Sequence, residues 1–494
     1  MPWNIIVNDS KDIAVHAALL PTGEHGQILY FGGFSVNDTH LFDVETAQIT
    51  DISAADSPGY NIFCSGHAFL ADGRFLVAGG QLPALGNEQD EHQHGGMGGG
   101  GERRCTIYEP FKGIWRKPES VQLMHLDPAG NPNSGGRWYP TLTTLGNGEV
   151  LAVGGHPDVR EVYPNLQNHR HSNNTPERYT PATNTWKLLA DNPPTDNQTT
   201  ANTEAAYDYQ RNHLIPDGRI FFSSPVKGKN RFYDPFAGRF LNNPVIDLPS
   251  DNLYGKVAAS FTSVLLPLLP QNSYLPRVLL MNGNTPERID LDSSDPQWED
   301  AAASLRDEQW GGKAPQRSYS CPVILPTGEI FFSGGTGKDG GDEVRQANAV
   351  RAGEMYNPGI NWETGQYEVN NESWQTVEAA VVARHYHSVA LLMPNGAVWT
   401  AGSNGPSEQP GSDENRETRI ETYEPAYFNM PGRPTITACP KNIGYGYSFD
   451  IKTPQANNIE RVALIRCGSV THSFNPDQRY VGLQFSVVQF RGRQ

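Results

Sequence analysis

Gly73-Arg74-Phe75-Leu76-Val77-Ala78-Gly79-Gly80 decides the fold, because the chain repeats it. An apolar strand and a turn ending on Gly73 precede it; a variable loop, Tyr108-Glu109-Pro110 and Trp115 follow. The unit returns as Gly148-Glu149-Val150-Leu151-Ala152-Val153-Gly154-Gly155, with Tyr179-Thr180-Pro181 and Trp186 behind it. It returns again as Gly328-Glu329-Ile330-Phe331-Phe332-Ser333-Gly334-Gly335 ahead of Tyr356-Asn357-Pro358. A fourth clear copy is Gly396-Ala397-Val398-Trp399-Thr400-Ala401-Gly402 ahead of Tyr423-Glu424-Pro425. Looser copies lie at Ile28–Gly33, at Gly218–Ser224 (leading to Tyr233-Asp234-Pro235) and at Val278–Gly283. Seven such units, spaced roughly 50 to 60 residues apart, are the signature of a kelch-type β-propeller. The strands are apolar on both faces, as they must be when each blade packs between two others, and closing the ring leaves only short edges.

The repeat stops after Tyr427, where Pro431-Gly432-Arg433-Pro434 reads as a linker. Beyond it Tyr447-Ser448-Phe449-Asp450-Ile451 and Arg461-Val462-Ala463-Leu464-Ile465 alternate like strands of a sandwich. The expectation is therefore all-β: a seven-bladed propeller over 1–429 and a short immunoglobulin-like domain over 430–494. The second piece is incomplete, since a full immunoglobulin-like sandwich takes about 100 residues.

Composition agrees. Gly (50) and Pro (38) make nearly a fifth of the 494 residues and aromatics 10%, the mixture of turn and strand formers that many short strands need. A net charge of −16 speaks against nucleic acid and anionic membranes as partners, which require a basic surface. No apolar run reaches the roughly 18 residues of a membrane span. The start, Met1-Pro2-Trp3-Asn4, shows no signal peptide. The five cysteines (64, 105, 321, 439, 467) are too few for a disulfide framework, although Cys439 and Cys467 fall close enough in sequence to pair.

The repeat also aligns positions within the chain. Nine residues before the turn glycine stand Cys64, Tyr139, Tyr209, Tyr319 and His387, counted from Gly73, Gly148, Gly218, Gly328 and Gly396. This is where the inner strand of each blade opens onto the central axis, so a propeller aims one residue per blade at a common point there. Taken singly, a channel tyrosine is a hydrogen-bonded core residue and a buried cysteine a small hydrophobe. Together in one register they suggest a site, because imidazole and phenolate suit Cu(II). An arginine precedes the aromatic in Arg137-Trp138-Tyr139, Arg317-Ser318-Tyr319 and Arg384-His385-Tyr386-His387. In the seventh blade the stretch from Tyr386 to Gly396 is one residue longer than its counterparts. Strict alternation would send Tyr386 and His387 to opposite faces, so the strand must begin irregularly if both are to meet one metal.

Four segments then resemble the active-site segments of the galactose oxidase/glyoxal oxidase family, the copper-radical oxidases. They are Phe63-Cys64-Ser65-Gly66, Arg137-Trp138-Tyr139, Arg384-His385-Tyr386-His387-Ser388 and Thr471-His472-Ser473-Phe474-Asn475-Pro476-Asp477-Gln478-Arg479. The resemblance covers the propeller and the start of the family's C-terminal early-set domain. It implies one copper ion held by Tyr139, Tyr386, His387 and His472, with Tyr139 joined through its ring to the sulfur of Cys64. That thioether would let Tyr139 store a second oxidising equivalent as a radical, with Tyr386 as general base. The implied reaction is two-electron oxidation of a small aldehyde or primary alcohol while O2 becomes H2O2. Galactose oxidases place a tryptophan eighteen residues after the equatorial tyrosine; Pro157, preceded by His156, stands there in this chain, which is nearer the glyoxal oxidase branch. On this resemblance the expectation is a chain without the family's N-terminal carbohydrate-binding domain and with an early-set domain that lacks its final strands after Gln494. Proteins of this family are commonly extracellular.

Tyr319, Cys321 and His156 are candidates for lining the channel. The His-rich stretch from Asp90 to Gly101 and His169-Arg170-His171 read as surface loops, and Asp339-Gly340-Gly341-Asp342 has too few carboxylates for a calcium loop. The competing reading of the whole chain is a catalytically inactive kelch/early-set interaction module.

Overall fold

The structure, a computed structural model, describes residues 2–23, 25–32, 38–52, 57–82, 100–125, 135–157, 173, 175–189, 208–226, 229–247, 261–282, 285–302, 317–337, 349–403 and 416–488. The Asp90 loop up to residue 99, the His169-Arg170-His171 stretch and 339–342 lie outside them.

Seven antiparallel sheets form the blades, each with four strands in sequence order from the axis outward, except that the N-terminal strand closes the last blade and a fifth strand joins the first. β1 (Trp3–Val7) is held back for the last blade. Blade one is β2 (His16–Leu20), β3 (Gln27–Phe31), β4 (Thr39–Asp43) and β5 (Ile49–Asp51). Blade two is β6 (Gly66–Phe69), β7 (Phe75–Ala78), β8 (Cys105–Glu109) and β9 (Ile114–Arg116); blade three is β10 (Thr141–Thr144), β11 (Val150–Val153), β12 (Glu177–Thr180) and β13 (Thr185–Leu188). Blade four is β14 (Asn212–Leu214), β15 (Ile220–Val226), β16 (Lys229–Asp234) and β17 (Arg239–Ile246). Blade five is β18 (Thr262–Leu265), β19 (Arg277–Asn282), β20 (Thr285–Asp290) and β21 (Trp298–Asp300). Blade six is β22 (Cys321–Ile324), β23 (Ile330–Ser333), β24 (Ala352–Ile360) and β25 (Tyr367–Ala379). Blade seven is β26 (Val389–Leu392), β27 (Val398–Ala401) and β28 (Ile420–Tyr423), completed on its outer edge by β1.

That closure explains the tyrosine and tryptophan of the repeat. The third-strand tyrosine faces a fourth-strand tryptophan directly in Tyr108↔Trp115, Tyr179↔Trp186 and Tyr356↔Trp374, with ring centroids about 5 Å apart. Tyr423 has no tryptophan after it; Trp3, paired opposite at 5.0 Å, takes the place. The N-terminal strand thus carries the missing part of the last blade, and the ring closes by pairing rather than by a covalent bond.

Buried arginines anchor the turns that lead into three of the blades. Arg137 and Glu177 form an ion pair at 3.0 Å, both essentially without solvent contact, and Arg317 with Glu354 and Arg384 with Glu421 repeat it. Each guanidinium also donates to carbonyls of its own blade: Arg137 to Gly154 and Thr175, Arg317 to Gly334 and Ala352, Arg384 to Thr400 and Arg419. The backbone carbonyl of the arginine in turn accepts from the preceding blade, Gly80 N–H to Arg137 and Gly335 N–H to Arg384. Gly79 must be glycine: at φ +78° a Cβ would sit 2.3 Å from the Arg137 oxygen.

The C-terminal segment makes a two-stranded sheet of β29 (Val462–Ile465) and β31 (Tyr480–Leu483), with an isolated bridge between Ala438 and Lys452. Between those strands the chain leaves for the propeller: β30 (Ser469–Thr471) joins β2 as a fifth, axial strand of blade one. All five cysteines are free thiols, so the expected pairing of Cys439 with Cys467 does not form; Cys439 is exposed and Cys467 half-buried.

Replacing Arg317 by Met leaves Glu354 charged and buried without its partner, and is expected to cost about 3–5 kcal/mol. The change is read from the urea midpoint; pairing it with Glu354→Leu should restore most of the loss. An unchanged midpoint for the single variant would show that the ion pair does not hold this turn of blade six in place.

Candidate metal centre

The five residues picked out by the nine-residue count share one backbone state. Cys64 (φ +53°), Tyr139 (+68°), Tyr209 (+44°), Tyr319 (+61°) and His387 (+67°) are all left-handed. Non-glycine residues rarely adopt this conformation, which costs about 1–3 kcal/mol where the surroundings impose it. Here the surroundings are the next blade: Tyr139 N–H donates to Cys64 O and Tyr209 N–H to Tyr139 O, both at 2.8 Å. The left-handed turn just ahead of each inner strand aims its side chain at the axis.

Blade seven solves the problem of two adjacent ligands by its extra residue. Arg137 and Arg317 precede their left-handed residue by two, Arg384 by three, although all three arginines fill equivalent anchoring places. The additional residue is taken up before β26, which starts at Val389. The Tyr386 ring therefore stacks on that of His387 (3.8 Å, 28°) instead of pointing away, and both rings lie against His472, at 5.4 and 4.5 Å.

His472 arrives from the other end of the chain at the tip of a finger. Thr471 and Phe474 exchange backbone hydrogen bonds across a tight turn whose two inner residues, His472 and Ser473, are also left-handed. Asn475, Asp477, Gln478 and Arg479 of the motif around it each have a mechanical task. Asn475 accepts from the amides of Ser469 and Gln478, closing the loop. Asp477 accepts from Ser469 Oγ and from Phe69 N–H of blade two, and pairs with Arg466 at 2.9 Å. Gln478 spans the Ile324 backbone of blade six with both ends of its amide. Arg479 donates to Leu214 O at the end of β14, and Arg211, just ahead of that strand, donates to the His472 carbonyl.

The donors converge. Ligand atoms of Cys64, His387 and His472 lie within 4.8 Å of one another, the one such group of three His, Cys, Asp or Glu residues among the described residues. Cys64 Sγ is 3.6 Å from His472 Nε2 and packs against Tyr139. The Tyr139 ring stands edge-on to His472 at 5.3 Å. Because the Thr471 hydroxyl donates to Val15 O (2.9 Å), it must accept from His472 Nδ1 (2.7 Å). Nδ1 then carries the proton, and the Nε2 lone pair faces the cluster.

Burial governs the protonation of the group. It pushes the thiol of Cys64 and the phenols of Tyr139 and Tyr386 up, the neighbouring Cys64 adding to the shift for both phenols. It pushes the His472 imidazole down, with His387 next in order. Burial thus favours the neutral forms of the His472 imidazole, the two phenols and the thiol, and disfavours a phenolate. A divalent cation balances a phenolate, and two imidazoles with phenol oxygens are the donor set that Cu(II) favours. The residues fit a copper ion.

Of the channel candidates, Tyr319 is edge-on to Tyr386 at 5.0 Å. His156 bonds to Asp208 through Nε2 (2.7 Å) and presents its ring edge to Tyr139 at 6.1 Å. Cys321 is fully enclosed, its sulfur 3.2 Å from Ser388 O beside His387, so it braces the pocket wall. Two neighbours were not named as site residues from the sequence. Tyr209 stacks near His472 at 4.7 Å, and the register had already singled it out. Trp138 lies against Tyr139 at 4.6 Å, and no pattern in the sequence signals it.

Comparison with known proteins finds relatives of both parts of the chain. The profile of the glyoxal oxidase N-terminus matches residues 127–427, and that of the galactose oxidase-like early set domain matches 433–494. Aldehyde oxidase GLOX1 of Arabidopsis thaliana is 23% identical over 99% of this chain and 77% of its own length. Aldehyde oxidase GLOX of Vitis pseudoreticulata is 26% identical over 90% and 76%. Galactose oxidase of Gibberella zeae is 21% identical over 96% of this chain and 63% of its own. In fold the chain is similar to a solved fungal alcohol oxidase of the AA5 family in complex with copper, with a TM-score of 0.69 and 19% identity. That match covers 98% of this chain and 89% of the other.

If Thr471 fixes the His472 tautomer, Thr471→Val should weaken copper binding by about 10–100-fold while Thr471→Ser preserves it. Titration of the metal-free protein with Cu(II), followed by its absorbance, measures the difference; equal affinity for both variants would remove this role.

Proposed function

We propose, for a chain that belongs to the glyoxal oxidase and galactose oxidase family of copper-radical oxidases, that it oxidises a small aldehyde or primary alcohol by two electrons and reduces O2 to H2O2. The observation that carries the proposal is the meeting of Cys64, Tyr139, Tyr386, His387 and His472, drawn from three blades and the C-terminal finger, in one buried pocket. His387, His472, Tyr139 and Tyr386 would hold the ion. Bound copper supplies Lewis-acid activation of a substrate hydroxyl and a one-electron redox couple.

The chain's own residues would do the rest. One electron is not enough to turn an alcohol, or the hydrate of an aldehyde, into its product. A Tyr139 ring joined to the Cys64 sulfur is electron-rich, easier to oxidise than a free phenol, and stores the second equivalent. Tyr386, stacked on His387, is placed to take the hydroxyl proton, its phenol having the rest of the pocket on one side and Tyr319 on the other. Cys64, His387 and His472 are buried, whereas Tyr139 and Tyr386 are only partly so.

Among possible substrates the small aldehydes are favoured. Pro157 occupies the place where galactose oxidases carry a tryptophan, and the relatives with the larger coverage of their own length are named aldehyde oxidases.

Copper and O2 added to the metal-free protein should remove two hydrogens from a crosslinked Cys64–Tyr139 peptide, seen by mass spectrometry, and Cys64→Ser should abolish the loss. Peroxide release should then be faster with methylglyoxal and glyoxal than with glycerol or galactose. Tyr386→Phe should lower kcat by about 10²–10⁴-fold, the usual worth of a general base. No crosslink and no peroxide after copper loading would instead favour the inactive interaction module.

A further inference from the structure

Cys64 is held differently from Tyr139 and Tyr209. Tyr209 N–H reaches Tyr139 O and Tyr139 N–H reaches Cys64 O, a backbone chain running from blade four to blade two. The matching place in blade one is Ala14, which is not left-handed, and the chain cannot continue in the same way. The Cys64 N–H instead donates to a side chain, His16 Nε2, at 3.1 Å.

His16 is set up as a fixed acceptor. It is fully buried at the start of β2, stacked on Phe31 (4.5 Å, 13°) and edge-on to His67 at 5.3 Å. Its partner across the sheet is Thr471, so the strand that carries His472 also braces it. Since Nε2 accepts, the proton sits on Nδ1, and that nitrogen has no hydrogen-bond partner among the described residues. Burial, with His67 and His387 close by, keeps the ring neutral. A phenyl ring would fill this space without a stranded buried donor, which is costly. The imidazole is therefore explained by the one bond it makes, and that bond ends at Cys64.

We propose that His16 is a positioning residue for formation of the Cys64–Tyr139 thioether. By capping the Cys64 amide it holds the left-handed turn that keeps Sγ against the Tyr139 ring. This role rests on the two residues being joined, as set out above. In that step the Sγ–H bond and one ring C–H bond break and a C–S bond forms. The two electrons and two protons released pass to O2 as H2O2, with copper present.

The test compares metal-free wild-type protein with His16→Phe and His16→Gln, each given Cu(II) and O2. Mass spectrometry follows the loss of two hydrogens from the Cys64–Tyr139 peptide, and the Cu(II) electron paramagnetic resonance signal follows copper uptake. Gln keeps an acceptor, so its crosslinking rate should stay within about threefold of wild type, whereas Phe should slow it by about tenfold or more at unchanged copper uptake. If the Phe protein does not fold, His16→Met against His16→Gln makes the same comparison at similar length. Crosslinking of the acceptor-free variant at the wild-type rate overturns the proposal while leaving the oxidase reading intact. Equal slowing in both variants together with lost copper uptake also overturns it, since that marks a merely structural role. A wild-type protein that binds copper and never loses the hydrogens removes both.

Discussion

The finger that enters the propeller axis is the contact on which the rest of the molecule depends. Seven blades packed around a ring leave their inner strands facing a common axis, and those strands end in polar backbone and side-chain groups that need partners. The stretch 466–483 supplies them around almost the whole circle. β30 pairs with β2 of blade one, Asp477 accepts from blade two, and Arg466 donates to Phe69 O and Thr144 Oγ1 in blades two and three. Arg479 meets the end of β14, Leu268 after β18 exchanges backbone bonds with Tyr480 and Gly482, and Gln478 clasps β22. Gly468 packs so closely on Leu391 of blade seven that a Cβ there would approach to 2.8 Å. One short segment thus touches every blade, and the histidine at its tip can have only one position. His472 is delivered by a pin that also holds the ring together.

The second constraint is where strain is kept. Seven of the twelve left-handed residues other than glycine among the described residues lie at the starts of inner strands and at the finger tip, the places that carry Cys64, Tyr139, Tyr209, Tyr319, His387 and His472. Elsewhere the repeat gives such positions to glycine, as at Gly73, Gly148 and Gly328. A left-handed residue throws its side chain out of the strand's alternation, and here that means toward the axis. The cost is met by bonds between blades, Tyr139 to Cys64 and Tyr209 to Tyr139, and by the buried arginines a few residues earlier. Residues far apart in sequence therefore meet because each is the same position of the same repeat. The pocket is a property of the repeat before it is a property of any one residue.

This is why so much was legible from the sequence, and why some was not. Counting nine residues back from the turn glycine found Cys64, Tyr139, Tyr209, Tyr319 and His387, since a repeat makes equivalent places equal in spacing. The irregular start of blade seven was legible from one surplus residue, but its location between Arg384 and His387 needed the anchoring role of the arginine, which only the pairing with Glu421 displays. Trp3 looked like an unremarked N-terminal residue; its partner Tyr423 is at the far end of the propeller, beyond the reach of any local pattern. The finger's motif was recognisable as a string, while the tasks of Asp477, Gln478 and Arg479 appear only when the blades they grip are in place. His16 carries no signal at all, for its meaning is a single bond across 48 positions of sequence.

The place of the aromatic cover over Tyr139 follows from the same geometry. The position eighteen residues later is Pro157, and its neighbour His156 turns its edge to the tyrosine and its Nε2 to Asp208. The large ring that lies on Tyr139 is instead Trp138, tilted 36° at 4.6 Å. Its orientation is not left to side-chain freedom. The Trp138 backbone exchanges hydrogen bonds with His156 on one side, Arg137 before it is locked to Glu177 and Thr175, and Tyr139 after it is tied to Cys64. Cover and tyrosine are thus consecutive residues of one braced turn. They cannot shift independently, and a ring delivered by a separate loop would have to be placed by contacts that this chain does not need.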